Sequence, residues 1–311
     1  MISVAYRAQV ELLLRVLPYV AKEEIFALKG GTAINLFEQD LPRLSVDIDL
    51  TYLPFEDRKV AMQGIADGLN RIRENLTKAI PDIQVNILAQ SDGQEAKLGC
   101  RLDGVQIKVE VNTIIRGYLQ ELRMMQVSDA VQDEFGLFAA INVVSKGELY
   151  GGKICAALDR QHPRDLFDIH NLFENGGITE EIKLGFIAAL VASNRPIHEI
   201  LDPKFQDQSR TFVAKFEGMT KGSFSYSDFE TTRARLVRSI NAILTDTDRK
   251  FLLSFETGSP DWGLYPIEGL ENMSAANWKL QNINRMLHND PGKHAEQLKL
   301  LQNVLEMWIA A

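Results

Sequence analysis

The sequence predicts an α+β protein: a small mixed sheet flanked by helices in the first half, and a mainly helical second half. Three observations carry this expectation. Apolar and polar residues alternate with period two at 46–50, 83–88 and 105–112. Apolar residues fall at helical spacing over 4–20 and across the segment from Phe55 to Ile80. Beyond Leu149 only helical periods persist. A chain of 311 residues is long enough for two modest domains or one enlarged one. The change of period places the expected boundary between them at 148/149, with residues 1–148 as the sheet-bearing core and 149–311 as a helical domain.

Taken in order, 4–20 is an amphipathic helix, and 25–28 is a short apolar stretch running into Gly30-Gly31. A tight glycine entrance then opens a small helix through Ala33, Ile34, Leu36 and Phe37. Asp40-Leu41-Pro42-Arg43 breaks that helix, and Val46, Ile48 and Leu50 alternate with Asp47 and Asp49 as a half-buried strand. After the helix ending near Ile80, strands are expected at 83–88, more weakly at 95–102, and at 105–112. Asp103-Gly104 marks a hairpin turn between the last two. Gly151-Gly152 precedes a helix containing Lys153, Cys155 and Arg160, and His162-Pro163 interrupts it. Pro163 suits the first turn of the next helix, which carries Arg164, Asp165, Asp168 and Phe173. Further breaks fall near 194–196, 218–227 and 258–266.

The composition, 45% hydrophobic and 24% charged, is that of an ordinary folded protein. The formal charge of -8 argues against broad coating of nucleic acid but leaves room for a local basic patch. No basic leader precedes an apolar run, and no uninterrupted apolar stretch approaches membrane-spanning length. Cys100 and Cys155 are too far apart for a metal knuckle. A reduced, cytoplasmic protein without membrane contact is expected.

The chemistry concentrates in acidic positions. Residues two apart on a strand face the same way, so Asp47 and Asp49 both leave the apolar face. Two like charges so close need a cation, a proton or full hydration. Mg²⁺ characteristically combines one or two carboxylates with substrate phosphates and waters, and Mn²⁺ suits the same oxygen donors. Glu110, on the polar face of the strand at 105–112, is placed to supply a third oxygen ligand. Such a set suits in-line attack on an α-phosphorus. Each element alone has a plain structural reading: a tight turn, a polar strand face, a solvated lysine. Their order along the chain strengthens the joint reading.

That order resembles a known family. Lys29-Gly30-Gly31-Thr32-Ala33, Arg43-Leu44-Ser45-Val46-Asp47-Ile48-Asp49-Leu50, and 153–160 with Arg164-Asp165-Leu166-Phe167-Asp168 resemble the AbiEii/AbiGii toxin family of nucleotidyltransferases, within the DNA polymerase beta-like superfamily. The stretch 248–255 in the helical half is also similar but names no catalytic residue. The resemblance implies a polymerase beta-like core and transfer of a nucleoside monophosphate from an NTP, with release of pyrophosphate. It implies that Gly30, Gly31 and Thr32 cradle the triphosphate through backbone amides, as amides near a helix start favour anions. Ser45 belongs to the same nucleotide-binding stretch or caps local backbone. Asp47 and Asp49 would hold magnesium, and Glu110 would match the third acidic position that assists deprotonation of the acceptor hydroxyl. Asp165 and Asp168 stand as the alternatives for acid–base work. Lys153 would contact nucleotide phosphate, and Arg160, seven residues on, would extend the positive lining. Both Lys153 and Asp168 are expected to reach the active-site cleft from the helical domain. Asp165 has a second reading, helix-terminal stabilisation or pairing with Arg164.

The acceptor implied is the 3′ end of transfer RNA or a protein hydroxyl, and the partner a separately encoded antitoxin. The competing readings are a non-catalytic component that sequesters nucleotide or RNA, and one that acts through a protein interface. His162, His170, His198, His288 and His294 offer no tight metal-ligand spacing. Trp262, Trp278 and Trp308 suit helical packing. Arg235 and Arg238 share a helical face with Arg233 offset, and with Lys215 and Lys221 they could guide an RNA or simply pair with nearby acids.

Overall fold

The computed structural model describes residues 4–88 and 95–307. The chain forms two compact units. One holds the sequence up to Ser145 together with Glu217–Ser223, and the other holds Lys146–Phe216 and the chain from Phe224 onward.

In the first unit, helix α1 (Val4–Val20) and helix α3 (Arg58–Ala79) pack against each other and against a mixed sheet. The strands are β1 (Phe26–Lys29), β2 (Asp47–Tyr52), β3 (Gln84–Leu88), β4 (Glu95–Leu102), β5 (Val105–Asn112), β6 (Arg123–Gln126) and β7 (Ala140–Val143), in the spatial order β3-β4-β5-β2-β1-β7-β6. β2 pairs antiparallel with β1 and parallel with β5, which sets the acidic strand at the centre. Ile48 and Leu50 are fully buried, whereas Asp47 and Asp49 alternate with them in half-buried positions, as period-two patterning requires. Asp103 and Gly104 take φ of 50° and 81°, the left-handed pair that a two-residue hairpin needs. β6, β7 and the short helix α4 (Asp129–Phe135) were not expected, and four-residue strands are too short to register as alternation.

Between β1 and β2 the chain turns through α2 (Gly30–Ala33) into a π-helical turn, Ile34–Glu38. The loop after it passes through Leu41 at φ 53° and is held by a segment distant in sequence. Leu44 N–H donates to Met219 O and Lys221 N–H to Pro42 O, each at 3.0 Å, flanking an antiparallel bridge between Arg43 and Thr220.

The second unit is helical. It comprises α5 (Lys146–Arg160), α6 (Pro163–Glu174), α7 (Glu180–Ala192), α8 (Ile197–Leu201), α9 (Ser209–Lys215), α10 (Tyr226–Ile243), α11 (Asp246–Glu256), α12 (Ser274–Asn289) and α13 (Pro291–Met307). Gly151 and Gly152 do not precede a helix; they lie inside α5. A Cβ on Gly151 would overlap the backbone of Gly185 and Phe186 in α7, and one on Gly185 would overlap Gly147 O. These glycines therefore let two helix backbones touch, a requirement set by tertiary contact and not by a turn. Pro163 occupies the first turn of α6, as expected.

The 248–255 stretch is structural. Asp248 closes a capping box with Thr245 and pairs with Lys183 at 2.9 Å, while Arg249 donates to the carbonyls of Asn241, Leu244 and Leu305 at the ends of α10 and α13. Trp262 packs on Phe251 and Phe255, but Trp278 is half exposed and so not a packing residue; Trp308 lies outside the described residues. Burial pushes the thiols of Cys100 and Cys155 up to about 12, leaving both as inert apolar groups. Among the described residues no helix is long and apolar enough to cross a membrane.

Candidate active site

Strand register assembles a row of charges across the sheet. Lys29 is opposite Asp49, Asp49 is beside Glu110, and Glu110 is opposite Lys97. Directly paired residues present their side chains on one face, so two carboxylates lie between two ammonium groups. Lys97 Nζ stands 3.2 Å from Glu110 Oε1. Asp47, one row on, is beside Lys108.

Gly30 borders the same carboxylates. It sits at φ 75°, and a Cβ there would overlap Asp49 Oδ2. Only glycine both adopts that backbone and leaves the carboxylate its place. At Gly31 the obstacle differs: a Cβ would stand 2.8 Å from Arg43 Nη2 and 3.0 Å from Ser45 Oγ. Thr32 is fully buried; its hydroxyl donates to the Asp47 carbonyl and lies 3.0 Å from Ser45 Oγ. The Thr32 and Ser45 side chains thus join the turn to the start of β2, leaving backbone amides as the groups through which Thr32 would meet an anion. Among the described residues no group of three or more His, Cys, Asp or Glu gathers closely enough to hold a metal. The donor set on this face is two aspartates, with Glu110 next in register and paired with Lys97. Two carboxylates completed by substrate oxygens and water are a sufficient protein share for Mg²⁺.

The helical unit gathers the later motif residues into a second cluster. Lys153 Nζ lies 2.8 Å from Asp165 Oδ1 and 3.1 Å from Asp168 Oδ2. Arg160 Nε and Nη2 donate to Asp165 Oδ2 and Oδ1 at 2.6 and 3.0 Å, a bidentate pair. Asp165 and Asp168 are buried, and so is Lys153, whereas the Arg160 side chain is 61% exposed. Burial opposes ionisation of Asp165, yet Lys153 and Arg160 together hold its carboxyl well below the usual carboxylate range. Asp165 pairs with Arg160 and Lys153, not with the adjacent Arg164 that the sequence suggested. His162 caps α6, its Nδ1 accepting from Arg164 N–H at 3.1 Å, and burial lowers its pKa to about 4.

The sequence over residues 11–281 matches the family described as nucleotidyl transferase AbiEii toxin of type IV toxin–antitoxin systems. The chain belongs to the AbiEii family. Its α+β core and helical C-terminal region are also similar to the solved structure of MenT4, a nucleotidyltransferase toxin from Mycobacterium tuberculosis H37Rv. That likeness has a TM-score of 0.57 at 13% identity, over 91% of this chain and 93% of that one. At such identity the likeness speaks for the fold. No curated protein matches the chain significantly.

Two residues of this AbiEii chain stand against the motif residues in ways the motif pattern does not specify. Arg43 is buried against Gly31, and its only sequence signal was its place in the 43–50 stretch. Lys97 had a clearer signal, because it and Glu110 are each six residues from the two-residue turn at 103–104 and so must face each other. The basic residues of α10 are largely engaged in packing. Arg235 lies over Phe173 at 4.2 Å and near Glu174, while Arg233 is buried between Phe205 and Phe229.

Proposed function

We propose that this nucleotidyltransferase moves a nucleoside monophosphate from an NTP to an acceptor hydroxyl with magnesium held by Asp47 and Asp49. The observation that carries the proposal is the seating of the Asp49 carboxylate on Gly30, which brings a carboxylate oxygen to the mouth of a glycine turn. The amides of Gly30, Gly31 and Thr32 are the groups that would receive the triphosphate. Magnesium, or manganese in its place, would neutralise phosphate charge and align the attacking and leaving oxygens. Asp47 and Asp49 would hold that ion beside the turn, and their carboxylates supply the charge it needs there. Glu110, in register beside Asp49, takes the proton of the acceptor hydroxyl once that hydroxyl displaces Lys97 from its carboxylate.

For Lys153, Arg160 and Asp168 the support is motif order and their clustering within the helical unit. Motif order is the ground for assigning Lys153 to nucleotide phosphate, and within the helical unit Asp165 and Asp168 fix its ammonium. Arg160, exposed at its outer end, extends that charge. The acceptor fitting this chemistry is the 3′-terminal hydroxyl of a transfer RNA, with a protein hydroxyl as the other class. A separately encoded antitoxin is the expected partner, and the cytoplasm the expected compartment.

The test is to incubate the protein with each labelled NTP, Mg²⁺, and total cellular RNA or protein. Label entering one pool, and absent with Asp47→Ala, supports the proposal and identifies the acceptor class. Binding of NTP with no pyrophosphate released on either pool would overturn it in favour of sequestration. Comparing Glu110→Gln with Asp168→Asn assigns the acid–base group to whichever substitution abolishes transfer while NTP still binds.

A further inference from the structure

The sheet unit is completed by seven residues that come from far along the chain. Glu217–Ser223 packs with the sheet unit, although the chain on both sides of it belongs to the helical unit. Its contacts converge on a single short loop: Met219 O accepts from Leu44 N–H, and Lys221 N–H donates to Pro42 O. Between these bonds lies Arg43, bridged to Thr220. The loop is unusual in two respects. Leu41, which opens it, is a fully buried leucine at φ 53°, a left-handed conformation that costs a residue with a Cβ about 1–2 kcal/mol. Arg43 is 2% exposed, so a guanidinium has been taken out of water at the edge of the glycine turn. Strain and a buried charge persist only where surrounding structure over-determines them. Leu41 N–H donates to Asn35 O and Gln39 O, Arg43 Nη1 donates to Leu44 O, and the strap clamps the residues on either side of Arg43.

The roots of the segment are fixed as well. Phe216 and Phe224, which bound it, have rings 5.6 Å apart, and each packs on Phe167 of α6 at 5.5 and 5.2 Å. Within the segment itself, Met219 is buried and the two backbone bonds flank Thr220, while Gly218 and Gly222 meet nothing that a Cβ would touch.

We propose that Glu217–Ser223 is a positioning strap for the donor site, holding Arg43 against Gly31 and thereby fixing the shape of the turn that receives the triphosphate. This inference rests on the nucleotidyl-transfer reading above. Arg43 acts as a positioning residue through Gly31: the guanidinium and Ser45 Oγ form the surface on which the Gly31 Cα rests. When the strap is lost, the loop relaxes toward an unstrained conformation, Arg43 swings toward water, and the turn loses its wall.

The decisive comparison is Lys221→Pro against Lys221→Ala. The first removes the N–H that donates to Pro42 O; the second removes only an exposed side chain and keeps that bond. Both are compared with the wild type for Kd and KM of each of the four NTPs with Mg²⁺, for kcat at saturation, and for hydrogen exchange of the peptide covering Gly30–Leu36. The expected result is that Lys221→Pro raises Kd and KM about tenfold, as loss of one charge-assisted phosphate contact would, with kcat little changed and exchange of that peptide accelerated. Lys221→Ala should match the wild type in exchange of that peptide and in Kd for the NTPs, and Arg43→Lys should recover part of the affinity lost in Arg43→Gln. Unchanged exchange and unchanged Kd in Lys221→Pro would overturn the strap while leaving the transfer reading intact. Accelerated exchange in a protein whose wild type binds no NTP would instead overturn the transfer reading and reduce the strap to a structural clasp. Should Lys221→Pro unfold the sheet unit, the Arg43→Gln and Arg43→Lys pair carries the test, and equal Kd in those two and the wild type would refute the role of Arg43.

Discussion

The Asp49 carboxylate rests on Gly30: a side chain at Gly30 would overlap Oδ2 and bring its Cβ to 3.0 Å from that of Asp49. Glycine is required there twice over, by the positive φ and by the carboxylate above it. Gly30→Ala should therefore cost roughly 1–3 kcal/mol of stability. It should also reduce transfer on the order of a hundredfold, because a displaced Asp49 misaligns the reacting phosphate. Thermal unfolding and single-turnover transfer measured on the same preparation separate the two effects. A variant that is destabilised but fully active would show that Asp49 tolerates displacement.

The Lys153 ammonium lies 3.1 Å from a carboxylate oxygen of Asp168, which is fully buried. Lys153→Met should destabilise the protein by about 3 kcal/mol, since it removes an ammonium shared by two buried carboxylates while Arg160 stays on Asp165. Adding Asp168→Asn to Lys153→Met should recover part of that loss. Urea unfolding of the single and double variants checks this, and strict additivity would mean the pair does not couple.

His162 is a neutral helix cap whose folded pKa, about 4, lies below the ordinary 6.5. In that window the unfolded chain binds the proton more readily, so the stabilisation is fully present above pH 6.5 and declines as pH falls toward 4. His162→Asn keeps a capping acceptor and removes the titration. Its melting temperature should fall less steeply than the wild type's between pH 6.5 and 4; parallel slopes would assign the acid sensitivity elsewhere.

Gly151→Ala and Gly185→Ala should each force α5 and α7 apart, since the new methyl meets backbone and no movable side chain. Overpacking of this kind costs about 1–3 kcal/mol. Gly152→Ala, where nothing stands within 4 Å, should be neutral or stabilising through helix propensity. Denaturant midpoints for the three variants test the contrast directly.

Much of the first unit could be read from sequence because its information is local. The bounds of α1 and β5 follow from period alone, and Asp103-Gly104 sets the register that brings Lys97 to Glu110. The facing of Asp47 and Asp49 likewise needs only the two-residue repeat of a strand. What escaped depends on contacts between distant segments. Gly151 resembles a helix start until Gly185 is placed against it, and Arg43 resembles a loop arginine until Gly31 and Thr220 surround it. Asp165 lies next to Arg164 in sequence, but the helix turns its carboxylate toward Lys153 and Arg160. Short strands such as β6 and β7 carry too few residues for alternation to stand out.

The route of the chain also bears on its birth. Because Glu217–Ser223 packs with residues from before Ser145, the sheet unit stays incomplete until the ribosome has added 78 more residues, from Ser145 to Ser223. At ordinary elongation rates that interval is roughly 4–16 s. Throughout it the loop lacks the bonds from Glu217–Ser223 to Pro42 and Leu44, so with the proposed strap the nascent enzyme would hold its nucleotide weakly until most of the polypeptide exists.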